Sequence, residues 1–305
     1  MTIEIKLATS LGFCFGVRRA IYMVEGAATE RERISSLGSI VHNPVVASKL
    51  KSQGVEIIDV LDDASSAPAV AITAHGAGPE TYRRIADAGR ELIDTTCPIV
   101  AKAQRAARRL VNSGFTVIIY GDANHPEVRG VMAWTRGKGI VLASAEESVE
   151  ISRRKVALMC QTTKSQESYA KFISGFLDRH IDHINEVRII NTTCPETEDR
   201  YEAARELARE VDLMIVIGGR NSANTGKLAA TCSAAGAETR QIEHEGELDA
   251  AWLRGKRAVG VTAGASTPDE SIGGVVRRLR ELDATTAAPS GTDALSQAGY
   301  RKTEP

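Results

Sequence analysis

A short motif repeated along the chain constrains the fold more than any other feature of the sequence. Residues 95–98 and 192–195 both read Thr-Thr-Cys-Pro, and each copy follows a short apolar run and precedes a helical pattern. A proline directly after the cysteine suits the first position of a helix, where its missing amide hydrogen costs nothing. The repetition indicates that the chain contains several copies of one supersecondary unit.

A third, more divergent copy begins at Cys14 and keeps the same spacing. In every copy a glycine lies 24 residues after the cysteine, and a polar loop follows that glycine. Each copy then closes with a second apolar run and a second polar loop. The three glycines are Gly38, Gly121 and Gly218.

Apolar strands that alternate with amphipathic helices predict an α/β fold of mainly parallel sheets flanked by helices. We expect three α/β units, at residues 1–94 with an opening strand at 3–8, at 95–191 and at 192–283. Their equivalent polar loops would converge on a pseudo-threefold centre, because ligands gather at the carboxyl ends of parallel strands. Residues 284–305 lack periodicity and are predicted to form a disordered tail.

Composition excludes several classes of partner. The net charge is -1 and aromatic residues make up only 4% of the chain, so neither a basic surface nor stacking platforms for nucleic acid are expected. No apolar stretch approaches the roughly 20 residues of a membrane span. The first residues lack a signal-peptide pattern. We therefore expect a cytoplasmic protein that binds neither nucleic acid nor membrane.

Five cysteines, an odd number, argue against a disulfide framework. Cys160 lies in an apolar strand and Cys232 on a small-residue helix, so both are predicted to be core residues. Cys14, Cys97 and Cys194 share one position in the repeat, at a helix start that favours thiolate. Three converging thiolates would repel one another unless a metal centre neutralised them. Zinc and a 4Fe-4S cluster with one open iron both stay open on this reasoning.

Eight ordered segments between Gly12 and Asp269 resemble signature segments of the IspH/LytB family, the 4-hydroxy-3-methylbut-2-enyl diphosphate reductases. These segments are "GFCFGVRRA", "VHNP", "AHGAGP", "DTTCP", "GDANHPEVRG", "QTTKS", "GGRNSANT" and "VTAGASTPD". They extend over nearly the whole periodic part of the chain.

The resemblance implies a trefoil of three α/β units around a 4Fe-4S cluster held by Cys14, Cys97 and Cys194. It implies an oxidoreductase of isoprene biosynthesis that catalyses the last step of the non-mevalonate pathway. Two electrons and two protons would remove the substrate hydroxyl as water, which leaves isopentenyl diphosphate or dimethylallyl diphosphate. Ferredoxin or flavodoxin would supply the electrons.

The resemblance also assigns roles to side chains in the polar loops. Glu127 would be the proton source, and Thr162 would position the hydroxyl and relay protons. Taken singly, a loop histidine could be solvated, Glu127 could simply favour a helix N-terminus, and the "NSANT" and "GAST" segments could be helix caps. Their equivalent placement across the repeats favours the functional interpretation instead. The residues that would hold the diphosphate are His42, His75, His125, Thr162, Ser222, Asn224 and Ser266.

The third repeat departs from the family pattern. Ala223 stands where the family usually has a second serine, and Arg200-Tyr201 stands where it usually has Arg-Gln. A lost hydrogen bond to a charged group weakens binding by roughly 1.5–3 kcal/mol. This departure motivates one alternative, a cluster-bearing paralogue that acts on another phosphorylated alcohol. A separate alternative is a non-enzymatic binding protein that is stabilised by zinc or senses redox state.

Overall fold

The computed structural model describes residues 2–41, 43–64, 67–151, 154–220 and 222–287. In this part of the chain the strands are β1 (Glu4–Leu7), β2 (Ile34–Leu37), β3 (Val55–Ile58), β4 (Ala69–Ile72), β5 (Glu91–Asp94), β6 (Thr116–Tyr120), β7 (Gly139–Leu142), β8 (Lys155–Cys160), β9 (Glu186–Ile189), β10 (Leu213–Ile217), β11 (Glu238–Ile242) and β12 (Ala258–Ala263). The α-helices are α1 (Phe15–Glu30), α2 (Pro44–Ser52), α3 (Pro79–Asp87), α4 (Pro98–Asn112), α5 (Pro126–Ala133), α6 (Gln166–His180), α7 (Pro195–Ala208), α8 (Ala223–Ala234) and α9 (Asp269–Ala287).

The strands form three four-stranded sheets, and every strand pair is parallel. The strand orders are β3-β2-β4-β5, β7-β6-β8-β9 and β11-β10-β12-β1. Helices connect the strands of each sheet, as parallel pairing requires. The prediction of three α/β units, each with a parallel sheet flanked by helices, is confirmed.

The first strand of the chain lies in the sheet of the last repeat. β1 pairs with β12, with Glu4 opposite Ala258 and Leu7 opposite Val261. It therefore holds the edge position that β5 and β9 hold in the other two sheets. The sequence-based ranges grouped this strand with residues 1–94, because chain order alone does not reveal a pairing across some 250 residues.

The second sheet shows why its strands read as continuous apolar runs. Alternate residues point to opposite faces of a strand. In β6, Val117 and Ile119 pack with Ala107 of α4, whereas Ile118 packs with Phe176 of α6 on the other face. Both faces are covered by helices, so both sets of side chains are apolar.

The described chain divides into two compact bodies. The larger body comprises the described parts of residues 10–202 together with 265–268, and it contains the β2–β5 and β6–β9 sheets. The smaller body comprises the described parts of residues 1–9, 203–264 and 269–305, and it contains the sheet of β1, β10, β11 and β12.

The last helix is longer than the sequence suggested. α9 continues through Ala287, so residues 284–287 are helical although they fall in the segment predicted to be a disordered tail. Alanine is a strong helix former, and the helix extends over Ala284, Ala287 and the two threonines between them. The rest of that segment, 288–305, lies outside the described residues. Within the described part of the chain, no helix is long and apolar enough to cross a membrane.

Candidate active site

Each of the three repeat cysteines stands between an edge strand and a helix. Cys14 follows β1, Cys97 follows β5 and Cys194 follows β9. The amide of each cysteine donates to the carbonyl of the second residue after the strand next to that edge strand. These hydrogen bonds join Cys14 N–H to Ala265 O (3.3 Å), Cys97 N–H to Ala74 O (3.0 Å) and Cys194 N–H to Thr162 O (2.8 Å).

The two threonines of the repeated motif stabilise the turns before Cys97 and Cys194 through hydrogen bonds. Thr95 Oγ1 donates to the carbonyl of Ile72 at 2.5 Å, and Thr192 Oγ1 donates to the carbonyl of Cys160 at 2.6 Å. The second threonine donates through its hydroxyl to the side chain two residues before it, Asp94 or Asn191. The motif recurs because both turns need the same two donors at the end of an edge strand.

A glycine at position 16 leaves room for two of the sulfur atoms. A Cβ on Gly16 would lie 2.7 Å from Cys97 Sγ and 4.0 Å from Cys14 Sγ. The first distance is far below van der Waals contact, so only glycine leaves the sulfurs undisturbed. The structure therefore brings Cys14 and Cys97 to the same small space in front of α1.

Charge interactions between the thiols indicate that Cys194 lies near Cys97, as Cys97 lies near Cys14. Burial is the main cause that raises the pKa of the Cys14 and Cys97 thiols, and hydrogen bonds from helix amides oppose it. Negative charge on Cys194 raises the pKa of Cys97 further, and Cys97 acts in the same way on Cys14. Because burial outweighs the helix termini here, a cationic centre is needed to hold the sulfurs as thiolates.

The donor set of this site can be compared with what a single metal ion and an iron–sulfur cluster require. Among the described residues, no group of three or more His, Cys, Asp or Glu side chains is placed to bind a single metal ion. A zinc ion needs its ligands within about 2.3 Å of one point, whereas a cluster binds each cysteine through a different iron. Three cysteines at separate helix starts are the donor set that a cluster with one open iron would use.

Arg200 is a buried cation beside these cysteines, and sequence analysis did not single it out as a site residue. Its side chain on α7 is 4% exposed, and Nη2 donates to the carbonyl of Gly12 at 2.7 Å. Burial lowers the pKa of its guanidinium, and the charges of Cys14 and Cys194 oppose that effect. Its buried Nε–H has no hydrogen-bond partner among the described residues, so it stays available to an acceptor such as a cluster sulfide. Only burial distinguishes this arginine from the solvated charges of α7.

Glu127 and Thr162 form a buried pair next to the cysteines. Glu127 is 3% exposed, and its Oε1 accepts from the Thr162 amide at 2.6 Å while Oε2 accepts from Thr162 Oγ1 at 2.8 Å. Burial raises the pKa of the Glu127 carboxyl, and the two hydrogen bonds from Thr162 oppose the rise only in part. The carbonyl of Thr162 also accepts a hydrogen bond from the Cys194 amide. Thr162 therefore links the candidate acid, Glu127, to a candidate cluster ligand, Cys194.

Two of the predicted histidines meet at this pair. His125 is the N-cap of α5, and its Nδ1 accepts from the Glu127 amide at 3.2 Å. The rings of His75 and His125 pack edge to face with centroids 5.4 Å apart. The ring of His75 is further held by Thr73 Oγ1, 3.2 Å from Nδ1. The structure thus brings Glu127, Thr162, His75 and His125 together.

The other predicted residues lie elsewhere in the chain. Ser266 is half-buried in the turn that also contains Ala265, the acceptor of the Cys14 amide. Ser222 is the N-cap of α8, where its Oγ accepts from the Thr225 amide at 3.2 Å, and Asn224 lies in the first turn of that helix. Both belong to the smaller body. His42 lies outside the described residues.

Cys160 and Cys232 are core residues, as predicted. Cys160 is 3% exposed within the apolar cluster around β6 and α6, and Cys232 is fully buried on α8. Burial raises the pKa of each thiol to about 11, which keeps both protonated at neutral pH. Neither one competes as a ligand.

Comparison with known proteins places this arrangement in a family. The family model described as LytB protein matches residues 5–280. The chain is 40% identical over 283 residues to the 4-hydroxy-3-methylbut-2-enyl diphosphate reductase of Dehalococcoides mccartyi (strain CBDB1), which covers 92% of this chain and 99% of that relative. It is 42% identical over 284 residues to the enzyme of the same name from Geobacter sulfurreducens, covering 92% and 98% of the two chains.

Solved structures agree with the sequence relatives. The structure of (E)-4-hydroxy-3-methyl-but-2-enyl diphosphate reductase, the terminal enzyme of the non-mevalonate pathway, aligns with a TM-score of 0.73 at 35% identity and covers 92% of this chain and 99% of that one. The E-1-hydroxy-2-methyl-but-2-enyl-4-diphosphate reductase from Plasmodium falciparum aligns with a TM-score of 0.80 at 24% identity, which supports the fold alone. By sequence, and in agreement with its three α/β units, the chain belongs to the LytB protein family.

Proposed function

We propose that this chain catalyses the reductive dehydration of 4-hydroxy-3-methylbut-2-enyl diphosphate to isopentenyl diphosphate and dimethylallyl diphosphate. The carbon–oxygen bond to the hydroxyl breaks, two electrons and two protons enter, and one water leaves. The observation that carries the proposal is the buried Glu127–Thr162 pair, bonded through the Thr162 carbonyl to the amide of Cys194. Relatives about 40% identical over more than nine-tenths of the chain are named for this activity.

We assign the 4Fe-4S cluster of the proposed enzyme to Cys14, Cys97 and Cys194. The family is iron–sulfur dependent, and the thiol positions, the space left by Gly16 and the unpartnered Nε–H of Arg200 support this assignment. The bound cluster would supply electrons to the substrate and, with three protein ligands for four irons, one open coordination position for its hydroxyl.

Glu127 is the residue best suited to deliver a proton. A carboxyl with a raised pKa stays protonated nearer to neutral pH, as a general acid requires. Thr162 donates to both carboxyl oxygens, through its amide to Oε1 and through its hydroxyl to Oε2. When Oε2 is protonated, this second hydrogen bond would reverse, so that the hydroxyl accepts from Oε2 and donates its own proton to an acceptor in front of the cysteines. The pair also occludes the carboxyl from bulk water, so proton delivery is directed to the substrate.

His75 and His125 are the described residues best placed to bind the diphosphate. Their packed rings lie at the N-terminus of α5. Imidazole N–H groups can donate to phosphate oxygens, so such a site does not need a cluster of lysines or arginines. Ser266 follows the residue that holds the Cys14 amide, and its hydroxyl is a further donor. Ser222, Asn224 and His42 stay predictions from the family resemblance.

The electron donor and the cellular location belong to the same proposal. The reaction consumes two electrons, and the family resemblance implies that ferredoxin or flavodoxin would supply them. Five free cysteines in one chain suit a reducing compartment, so we propose the cytoplasm.

The test begins with protein purified without oxygen and reconstituted with iron and sulfide. We expect about four irons and four sulfides per chain and turnover of the hydroxymethylbutenyl diphosphate with reduced methyl viologen. Both isoprenoid diphosphates should appear by liquid chromatography, with two electrons consumed per product. A loaded protein that leaves this substrate unchanged but reduces another phosphorylated alcohol would refute the proposal in favour of the paralogue alternative.

A further inference from the structure

Helix α4, which begins directly after Cys97, is basic along its whole length. It carries Lys102, Arg105, Arg108 and Arg109 and contains no Asp or Glu. All four side chains are exposed, and none of them forms a salt bridge or side-chain hydrogen bond with another residue that the structure describes. At about 3.6 residues per turn, the four cations fall within about a third of the helix circumference. They form one positive face, called here the α4 face.

The other two helices that follow repeat cysteines have no such face. Helix α1 carries two basic residues, Arg18 and Arg19, against two acidic ones, Glu25 and Glu30. Helix α7 is acidic, because its two arginines stand against five carboxylates. Those carboxylates are Glu196, Glu198, Asp199, Glu202 and Glu206. Among the three helices that follow repeat cysteines, only α4 therefore carries a net positive charge.

A groove with aromatic walls runs beside the α4 face. Its lining includes Arg105, Arg108, Tyr82, Trp134, Thr96 and one carboxylate, Asp94, which accepts from the Thr96 hydroxyl. The Arg108 guanidinium lies 5.8 Å from the centre of the Trp134 ring, and the Tyr82 and Trp134 rings are 6.3 Å apart. Tyr82 Oη is 3.2 Å from Thr96 Oγ1, and Thr96 is bonded to Cys97. The groove therefore reaches the residue next to a candidate cluster ligand.

We propose that the α4 face and this groove are the docking surface for an acidic protein that carries one electron at a time. The inference rests on the proposed function, because that reaction consumes two electrons that must enter from outside. Unpaired cations attract an acidic carrier during its approach, and arginine and aromatic side chains are enriched where proteins meet. Electron-transfer encounters bury little surface, so one helix face and one groove are large enough. Bound there, the carrier would deliver each electron near Cys97.

The test compares two charge-reversed proteins. Lys102→Glu/Arg105→Glu reverses two cations of the α4 face and keeps residues that favour helix. The matched control, Lys51→Glu/Lys138→Glu, changes net charge equally at exposed lysines on α2 and before β7. The probe is an acidic ferredoxin. Its Kd for each reconstituted protein is measured by calorimetry in the oxidised form, and its KM in the reduced form, at low and moderate salt. Methyl viologen serves as the small reductant.

In the α4 variant, we expect the Kd and the KM for ferredoxin to be at least about tenfold higher than in the parent. Both constants should also depend much less on salt concentration than they do in the parent. Turnover with methyl viologen should stay within about twofold of the parent, and the control should change neither quantity. Equal effects of the two variants, or an equal loss of turnover with methyl viologen, would overturn the docking surface. If the parent is inactive with methyl viologen, the proposed function fails, and the ferredoxin Kd values still decide whether the surface binds the carrier.

Discussion

At the residue scale, the site depends on the absence of a side chain as much as on the groups present. Gly16 lies in the first turn of α1, where its backbone is helical and glycine is otherwise unfavourable. A methyl group there would overlap Cys97 Sγ. Gly26, in the same helix, has nothing within 4 Å of the equivalent position. Substituting each glycine by alanine therefore distinguishes the steric requirement of the sulfur site, at Gly16, from the general effect of glycine on helix stability, at Gly26.

Gly16→Ala is expected to lose most of its bound iron and sulfide after anaerobic reconstitution, because the added methyl group displaces Cys97. Gly26→Ala should keep full loading and gain about 0.4–1 kcal/mol of stability from reduced freedom of the unfolded chain. Iron and sulfide assays and urea unfolding measure both effects. Full loading of Gly16→Ala would show that the Cys97 sulfur does not occupy this space in the loaded protein.

Glu127→Gln is expected to lower turnover by roughly 10²–10⁴-fold, the usual contribution of a general acid. The amide keeps the size of the side chain and can still accept from Thr162, so cluster content and substrate Kd should change little. Glu167→Gln, an exposed carboxylate on α6, is the control and should retain parental turnover. Undiminished turnover of the Glu127 variant would remove this residue from proton delivery.

The same carboxyl makes stability depend on pH with a defined sign. Burial raises the pKa of Glu127 in the folded chain above its unfolded value of about 4.3. The folded state binds more protons in that interval, so this contribution is complete below about pH 4 and declines as pH rises through the folded pKa. The unfolding free energy of the parent minus that of Glu127→Gln should therefore fall as the pH rises above about 4. A difference that rises over this range would contradict the assigned shift.

At the element scale, each cysteine is positioned by three neighbouring elements. These are an edge strand, a turn held by hydrogen bonds and the N-terminus of a helix. Cys14, Cys97 and Cys194 all donate an amide to a carbonyl just past the strand beside their edge strand. The two threonines fix the second and third turns, whereas the first uses a longer connection that includes Gly12, which has a positive φ of 74°. The elements thus place the three cysteines at equivalent positions.

Cys14→Ser, Cys97→Ser and Cys194→Ser are each expected to lose the cluster, because a hydroxyl is a poor ligand for iron in a cluster. Cys160→Ser and Cys232→Ser should retain it, with a stability cost of about 1–3 kcal/mol for a buried hydroxyl. Visible absorption and iron content measure loading, and urea unfolding measures the cost. Loss of the cluster from Cys160→Ser combined with retention in Cys97→Ser would refute the ligand assignment.

At the scale of the whole molecule, the two ends of the periodic sequence meet in one sheet. The amide of Ala8 donates to the carbonyl of Val261 at 3.0 Å, and that of Glu4 donates to the carbonyl of Arg257 at 2.9 Å. The third sheet therefore cannot be completed until nearly the entire chain has been synthesised. Such distant pairing slows folding, because the loop must close before its contacts form.

Ala8→Pro is expected to destabilise the protein by about 1–3 kcal/mol, because proline removes this donor and leaves the buried carbonyl of Val261 unsatisfied. Refolding should also slow if β1 pairs early. Thr2→Pro, at an exposed position before β1, is the control and should be nearly neutral. Urea unfolding and stopped-flow refolding of the proteins without metal test this. Equal stability of the two variants would argue against the β1–β12 pairing.

Much of the fold could be predicted because it is encoded in local patterns. Alternation of apolar strands and helices fixed the α/β class, and the common cysteine-to-glycine spacing revealed the three units. The positions of Cys14, Cys97 and Cys194 at helix starts followed from the proline after two of them and from repeat equivalence. Glu127 and Thr162 were predicted by resemblance to a family, and the structure shows them bonded to each other.

The tertiary structure decided what depends on contacts between distant residues. The place of β1 beside β12, the buried guanidinium of Arg200 and the space that Gly16 leaves for Cys97 have no local signal in the sequence. Nor does the sequence tell which charges lack a salt bridge to any residue that the structure describes, as those of the α4 face do. Periodicity determines which side of a strand or helix is apolar, because that depends on near neighbours. Pairing, burial and pKa values depend on which groups folding brings together.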